Sequence, residues 1–287
     1  MQASTVVGYQ TVEIPNQALT MIGVPFAAVD GTDIGVQDLF KDPLGQGLKG
    51  ALAAGQADQL QYWDPNEGSG YVALYLFDAG TSTRTAQTAK HNLWCVGGNY
   101  KDKTWGTANN PSTKKLTSGM GLWLKRTGIV EGGDPLPLTM AGGVVVAPEG
   151  RTYTCRVGLT MIAGGFTTGW APNVVQAGVG DTNVDWLKQG CTGALVAGQA
   201  DQLQFWDPNE GSSYISLYLF DAGTSTRTAQ TAKHNLWCVG GNYKDKSWGT
   251  ANNPCTKVIP AGRGVWYKHV GTEPCTFTLP QPYTLNK

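Results

Sequence analysis

Charge is the property that this sequence has least of. Asp, Glu, Lys and Arg together make up 15% of the 287 residues, against about 25% in a typical soluble domain. The 21 basic and 21 acidic side chains balance, so the formal net charge is zero. Proteins that bind nucleic acid need an excess of Lys and Arg to neutralise phosphates, so no nucleic-acid partner is predicted. A zero net charge also removes the repulsion between copies, which permits self-association without causing it.

Long hydrophobic runs are also missing. The longest apolar stretch, "ALTMIGVPFAAV", is shorter than the roughly 18 residues that a membrane-spanning helix needs, and Gly23 and Pro25 interrupt it. We therefore expect no membrane span. The first ten residues, "MQASTVVGYQ", lack the basic start and apolar centre of a signal peptide. If the protein is secreted, we expect this chain to be a mature form from which a leader has been removed.

Motifs for catalysis and metal binding are absent as well. Of the three histidines, His91 and His234 occupy the same site in two repeats. His91 lies four residues before Cys95, which suggests a Cys–His nucleophile, but such residues are about 13 Å apart along a strand. No CxxC or HExxH spacing occurs. The sequence predicts a protein that is not an enzyme, with no cofactor and no metal.

An internal repeat is the strongest feature that is present. Gly50–Gly128 aligns with Gly193–Gly271 without a gap, at a constant offset of 143. Within it, "FDAGTSTRTAQTAKHNLWCVGGNYKDK" occurs letter for letter at 77–103 and at 220–246. This period is far longer than the 20–50 residues of solenoid repeats. The sequence therefore predicts two tandem modules, 1–141 and 142–287, joined near "MAGGV".

Short alternating runs between glycine-rich turns dominate each repeat. The 39 glycines follow no Gly-X-Y period, and this distribution is typical of many turns that join many strands. In "YVALYLF" (71–77) alternate side chains point to opposite faces of a strand. We expect the aliphatic face of Val72, Leu74 and Leu76 to lie in the core and the aromatic face to be less buried. The predicted fold is all-β, with two tandem homologous modules that are each a β-sandwich or a small β-barrel.

The order of three motifs resembles a poorly characterised class of secreted bacterial β-modules. "LTMIGVPF" (19–26) is similar to an opening strand of the N-L-I-G-N-P-F type. "QYWDPNEGSGY" (61–71) is similar to a Q-x-W-D…Y hairpin, and "SGMGLWLKR" (118–126) to a closing P-G-x-G-F-W-x-x-R strand. The second repeat departs from this pattern at "AGGF" (163–166). The resemblance implies a secreted or cell-surface location and no assigned chemistry.

Four of the six cysteines occur only in the second repeat. Because the partners of a disulfide are gained and lost together, we predict the bonds Cys255–Cys275 and Cys155–Cys191. Such bonds would indicate an oxidising compartment. At the repeat offsets used, the counterparts of Cys155, Cys191, Cys255 and Cys275 are Pro15, Leu48, Ser112 and Gly132.

The other two cysteines, Cys95 and Cys238, occur in both repeats inside the apolar run "NLWCVGG". Three interpretations remain open for them. They are buried free thiols, which pack as small hydrophobic groups, or a link between the two repeats, or a link between chains.

Aromatic residues beside polar groups suggest a ligand site. "LWCVGGNYKDKTWG" places Trp94, Tyr100 and Trp105 among Asn, Asp and Lys, and flat rings next to such groups could stack on sugars and bond their hydroxyls. The alternative is that the tryptophans anchor the core and cover a loop. The candidate ligand-binding residues are Trp94, Tyr100 and Trp105, with their counterparts Trp237, Tyr243 and Trp248.

The identity of the repeated segment extends over polar residues, where packing does not require it. Recent duplication, a ligand shared by both sites, or equivalent contacts between stacked modules would each produce it. We predict a structural protein, secreted or at the cell surface, that forms a homo-oligomer or polymer as filaments or arrays. The alternative is a carbohydrate-binding surface module with a polysaccharide partner.

Overall fold

The computed structural model describes residues 6–64, 66–67, 70–129, 132–173, 184–207, 214–244 and 246–282. The chain divides into two compact units, Met1–Val145 and Val146–Lys287. Strands dominate both, and the described helices span four residues or fewer. The predicted all-β class is confirmed.

The described part of unit 1 contains three antiparallel sheets. The largest has five strands in the order β2-β9-β5-β6-β7, and the other two are β1-β10-β3 and β4-β8. Two short helices, α1 (Val36–Leu39) and α2 (Thr85–Thr88), lie between strands. The strands are β1 (Val7–Ile14), β2 (Leu19–Gly23), β3 (Phe26–Ala27), β4 (Ile34–Gly35), β5 (Gln59–Trp63), β6 (Tyr71–Phe77), β7 (Leu93–Val96), β8 (Lys115–Leu116), β9 (Gly121–Lys125) and β10 (Leu136–Val144).

Unit 2 has a five-stranded sheet of the same internal order, β12-β16-β13-β14-β15, and a two-stranded sheet, β11-β17. Its helix α3 spans Thr228–Thr231 and corresponds to α2. Its strands are β11 (Arg151–Cys155), β12 (Gly158–Ala163), β13 (Gln202–Trp206), β14 (Tyr214–Phe220), β15 (Leu236–Val239), β16 (Gly264–His269) and β17 (Cys275–Leu279).

The main core of unit 1 lies between its sheets. Val12 and Leu138 from the β1–β10 pair join one buried cluster with Leu74 and Trp94 from the five-stranded sheet. Side chains from two sheets that meet in one core are the arrangement of a β-sandwich. The aliphatic face of β6 lies in this core, as predicted.

The opposite face of β6 is the less buried one at Tyr71 and Ala73, as expected, but its other end is fully buried. Tyr75 is 1% exposed and Phe77 is 5% exposed, and both pack in a second cluster with Ala57 and Cys95. The segment before β5 covers this face, because Ala51, Ala54 and Ala57 pack in the same cluster. This cover is a long-range contact that the alternation of β6 does not encode.

The predicted junction "MAGGV" lies inside a strand. β10 runs through it to Val144 and pairs with both β1 and β3. A Cβ at Gly142 would lie 2.6 Å from the Cβ of Phe26 and 2.8 Å from the carbonyl oxygen of Ala27. The glycine therefore permits a close approach of β3 to β10. The glycines of this segment indicate a tight contact between strands and not a linker.

Side-chain amides close one edge of each large sheet. Gln37 donates to the carbonyl oxygens of Trp94 (2.8 Å) and Ser112 (3.2 Å), and it accepts from the Trp94 N–H (3.0 Å). Asn173 makes the equivalent bonds to Trp237 and Cys255 in unit 2. Each amide satisfies backbone groups that β7 or β15 would otherwise present at the edge. Within the described residues, no helix is long and apolar enough to cross a membrane.

Candidate functional site

The predicted sugar-binding tryptophans of unit 1 lie inside the protein. Trp94 is 0% exposed and packs edge-on against Phe40 at 5.8 Å between ring centroids. Trp105 is 1% exposed and stacks on Tyr62 at 5.5 Å. Neither indole face is available to a sugar ring, so the core interpretation explains both.

The counterparts in unit 2 behave in the same way. Trp237 packs against Trp186 at 5.3 Å and Trp248 against Phe205 at 5.0 Å. Both are buried. A sequence in which aromatic and polar residues alternate is compatible with a binding face and with a packed core. Here the polar neighbours lie on the connecting loops, and the tryptophans lie in the core.

The hydroxyl groups of the two tyrosines in the predicted set hydrogen-bond to backbone N–H groups. The Tyr100 hydroxyl accepts from the Ala73 N–H at 2.9 Å, and the Tyr243 hydroxyl accepts from the Ser216 N–H at 2.8 Å. Both rings are half-buried. In each unit the two tryptophans are buried and the tyrosine hydroxyl is bonded to the backbone, which favours the alternative that these rings anchor the core.

All six cysteines are free thiols and all are buried, so neither predicted disulfide is formed. Cys255 accepts from the Lys257 N–H at 3.3 Å, whereas Cys275 contacts the thiols of Cys155 and Cys191. The four cysteines that are missing from the first repeat include the three that contact one another, but the two predicted pairs are wrong.

The wrong grouping has a cause in the alignment. Cys155 lies directly opposite Cys275 in the β11–β17 pair, as Ile14 lies opposite Leu136 in the β1–β10 pair. The counterpart of Cys275 is therefore Leu136, not Gly132. The offset of 143 ends at Gly128 and Gly271, and four more residues follow in unit 1 before the strand begins.

Three thiols and a carboxylate converge in unit 2. The sulfur atoms of Cys191 and Cys275 and a carboxylate oxygen of Asp201 all lie within 4.8 Å of one another. The Cys155 thiol hydrogen-bonds that of Cys275, which lies 3.4 Å from the Tyr267 hydroxyl. We name Cys155, Cys191, Cys275 and Asp201 the thiol cluster.

Asp201 is held by four different residues. Its carboxylate accepts from the Tyr267 hydroxyl (2.7 Å) and from the backbone N–H groups of Thr192 (2.8 Å) and Val270 (2.8 Å). His269 Nδ1 lies 2.9 Å from both carboxylate oxygens, and its Nε2 lies 2.8 Å from the Glu273 carbonyl. Both neighbours of the imidazole are acceptors, so both ring nitrogens donate and the ring is positively charged.

The pKa shifts follow from this packing. Burial opposes the charge on His269, but the hydrogen bond to Asp201 and its negative charge raise the pKa of the imidazole above its ordinary value. Hydrogen bonds from Cys155 and Cys191 lower the pKa of the Cys275 thiol. The same bond to Cys275, together with burial, raises the pKa of Cys155.

Cys95 and Cys238 are isolated from this cluster. Both are 0% exposed and free, as the first of the three interpretations expects. Burial raises the pKa of each thiol to about 11. At pH 8 only about 0.1% of such a thiol is thiolate, the reactive form.

We expect Cys95 and Cys238 to resist iodoacetamide in the folded protein at pH 8 and to react fully after unfolding in guanidinium. Mass spectrometry of peptides from the two conditions measures this. Alkylation of Cys95 in the folded protein within minutes would contradict it.

β1 is the outermost strand of its sheet and has a neighbour, β10, on one side only. Thr11 lies opposite Thr139, and the Thr139 N–H donates to the Gln46 side chain on the far side. Opposed residues of an antiparallel pair either exchange both backbone bonds or neither. The backbone of Thr11, and of every second residue of β1, therefore points outward. These residues, Val7, Tyr9, Thr11 and Glu13, we name the β1 edge.

Apolar surface adjoins the β1 edge. Tyr9 is 75% exposed, and Val6, Val7 and Val29 are each about half exposed. A cavity of ≈ 270 Å³ lies beside them, lined mainly by Tyr9, Val29 and other apolar side chains. Lone exposed apolar residues are common, but a contiguous group next to a strand edge indicates an interaction surface.

The corresponding edge in unit 2 is shorter and more polar. β11 has five residues, begins at Arg151 and pairs with β17. Its exposed positions are Thr152 and Thr154. The two units thus share a fold and differ at this edge.

The fold and these surfaces define an all-β protein whose five-stranded antiparallel sheets each pack on a smaller sheet. Comparisons with family models, with curated proteins and with solved structures find no match.

Proposed function

We propose that the protein is a non-enzymatic structural component, located outside the cell or at its surface, that assembles with further copies of itself into filaments or arrays. The observation that carries this proposal is the β1 edge: outward-facing backbone groups, with exposed apolar side chains on the same residues. The resemblance of the opening and closing strands to secreted bacterial modules supports the location.

The β1 edge has the chemistry that strand addition requires. An added strand bonds the free N–H and C=O groups, and its side chains contact those of the edge. Natural edges are usually protected by Lys, Pro or bulges, but Val7–Val12 contains neither Lys nor Pro, and Glu13 is the first charged residue. The absence of net charge leaves no long-range repulsion between copies.

A second surface is presented twice by each chain. The loop at 78–92 and its copy at 221–235 are largely exposed and identical. The hydrogen bond between Ser82 and Gln87 explains why these two residues are the same in both repeats. Thr81 and Arg84 are also the same in both repeats, although they are exposed. One self-complementary edge produces only closed pairs, so equivalent contacts at these loops would supply the further valence that a polymer needs.

Thr11→Pro is expected to abolish association through the β1 edge and leave the fold intact. Proline removes the outward N–H of Thr11 and is tolerated at an edge because that N–H makes no bond within the sheet. The wild type should elute as particles larger than a dimer and the variant as clearly smaller particles, because only the loop contacts remain. Size-exclusion chromatography with light scattering and negative-stain electron microscopy measure this.

Thr152→Pro is the matched control. Thr152 faces Thr278 across β11–β17 with 3.0 Å between their hydroxyls, as Thr11 faces Thr139 at 2.9 Å. The Thr278 N–H donates to Gln189, the counterpart of Gln46. Both variants remove an equivalent outward N–H group, but only Thr11→Pro should reduce the size of the assembly. A wild type that is monomeric at every concentration would refute the proposal, and its retardation on a polysaccharide gel would favour the carbohydrate-binding alternative.

A further inference from the structure

We propose that the thiol cluster is a metal site, which binds one Zn²⁺ ion through the sulfur atoms of Cys155, Cys191 and Cys275 and a carboxylate oxygen of Asp201. The site lies within unit 2 and is independent of the β1 edge. With four protein ligands and no open position, it would stabilise the fold and would not catalyse a reaction.

The separations fit tetrahedral coordination. With Zn–S bonds near 2.3 Å, ligand atoms of a tetrahedral site lie about 3.8 Å apart. The atoms of Cys191, Cys275 and Asp201 already lie within 4.8 Å of one another. The atoms of these three residues would have to move by about 1 Å to reach tetrahedral separations. Cys155 lies directly opposite Cys275 on the neighbouring strand, but its sulfur is outside this 4.8 Å group and would have to move further to become the fourth ligand.

The donor atoms select the ion. Thiolates favour soft and borderline metals, and exclude Mg²⁺ and Ca²⁺, which take oxygen ligands. A carboxylate oxygen beside three sulfurs suits Zn²⁺, which accepts both in four-coordinate sites. All four ligand residues are buried, which is typical of a closed structural site.

Packing alone does not explain three cysteines in one place. In unit 1 the corresponding positions hold aliphatic residues, and Leu124 stands where unit 2 has Tyr267. The side chains of Ile14 and Leu48 are buried there in the hydrophobic core. Unit 2 replaces a complete aliphatic contact by three thiols and a hydroxyl. An odd number of thiols cannot all be paired in disulfides, whereas one metal ion uses every one. The unit 1 residues are Ile14 for Cys155, Leu48 for Cys191 and Leu136 for Cys275.

The surroundings of Asp201 match those of a ligating carboxylate. Metal-binding carboxylates are oriented by further hydrogen bonds, and Tyr267 and His269 supply these at 2.7 Å and 2.9 Å. The N–H groups of Thr192 and Val270 also donate to this carboxylate, so a bound ion would replace one of its present donors. Asp58, the unit 1 counterpart, accepts from Lys49 and Thr127 and has no thiol beside it. Unit 1 is therefore an internal control without a site.

The test uses the full chain, reduced, stripped with a chelator and titrated with Zn²⁺ or Co²⁺ alone. We expect one ion per chain by elemental analysis and a sulfur-to-cobalt charge-transfer absorption with Co²⁺. Cys191→Ser and Cys275→Ser should weaken binding at least 100-fold. Cys95→Ser and Cys238→Ser, which alter buried thiols outside the cluster, should bind as the wild type does.

One further variant distinguishes the loss of metal ligands from the loss of the fold. The triple variant Cys155→Ile, Cys191→Leu, Cys275→Leu rebuilds the aliphatic contact of unit 1, and it should fold and bind no metal. Absence of cobalt absorption in the wild type would overturn the proposal, as would equal binding by wild type and triple variant. A disulfide between any two of the three cysteines in the protein isolated without reductant would overturn it too.

Discussion

Asp201→Ala is expected to destabilise unit 2 by about 3–5 kcal/mol, because it leaves a buried positive charge without its partner. Asp201 is 0% exposed and His269 3% exposed. The substitution also leaves the Tyr267 hydroxyl and two backbone N–H groups without their acceptor. Each buried donor left without a partner costs roughly 1–3 kcal/mol more, so about 3–5 kcal/mol is the lower end of the expected loss. Urea denaturation followed by circular dichroism, with chelator and reductant present, measures the loss without any contribution from metal.

Asp58→Ala provides the comparison. Asp58 is buried and accepts from the Lys49 and Thr127 N–H groups at 2.9 Å and 2.6 Å. It has no histidine beside it, since Arg126 stands at the position of His269. We expect a smaller loss, of about 2–3 kcal/mol, confined to unit 1. Equal losses for the two variants would show that the Asp201–His269 pair contributes nothing measurable.

Trp94→Ala is expected to destabilise unit 1 by about 3–5 kcal/mol, the usual cost of removing a buried indole. The ring is 0% exposed and packs against Phe40, and its loss leaves a cavity that the sheets cannot close. Trp237→Ala should have the same effect on unit 2, where the ring contacts Trp186 and Tyr267. Calorimetry of each variant should show one thermal transition shifted to lower temperature.

Trp63→Ala is the matched control for these two variants. Trp63 is only half-buried and contacts Tyr71 edge-on at 4.9 Å. We expect it to cost less than half as much as Trp94→Ala. If Trp94→Ala instead leaves stability unchanged and removes binding to a polysaccharide, the ring is a ligand platform and the burial described above is wrong.

The sequence was sufficient for the local elements of the fold. Alternation along β6 predicted which residues face the main core, and the glycine-rich turns and short runs predicted an all-β chain. These features depend on neighbours in the sequence, where the period of a strand is directly visible.

Long-range contacts were not predictable in the same way. The cover over Tyr75 and Phe77 comes from a segment that starts at Ala51, and alternation contains no signal for it. The thiol cluster joins residues from β11, the turn before β13 and β17, so no short spacing motif exists. A signal was nonetheless present, because Cys155, Cys191 and Cys275 are all absent from the first repeat, and the alignment of strand registers would have grouped them.

The side-chain amides at the strand edges have a consequence for valency. Gln46 bonds both backbone groups of Thr139, as Gln37 bonds both of Trp94, so each amide acts as one residue of an extra strand. In the proposed assembly, the number of edges open to strand addition would therefore be set by single side chains and not by the number of strands. Loss of one amide would then give unit 1 a second point of attachment, and the proposed polymer would become branched through a change of one residue.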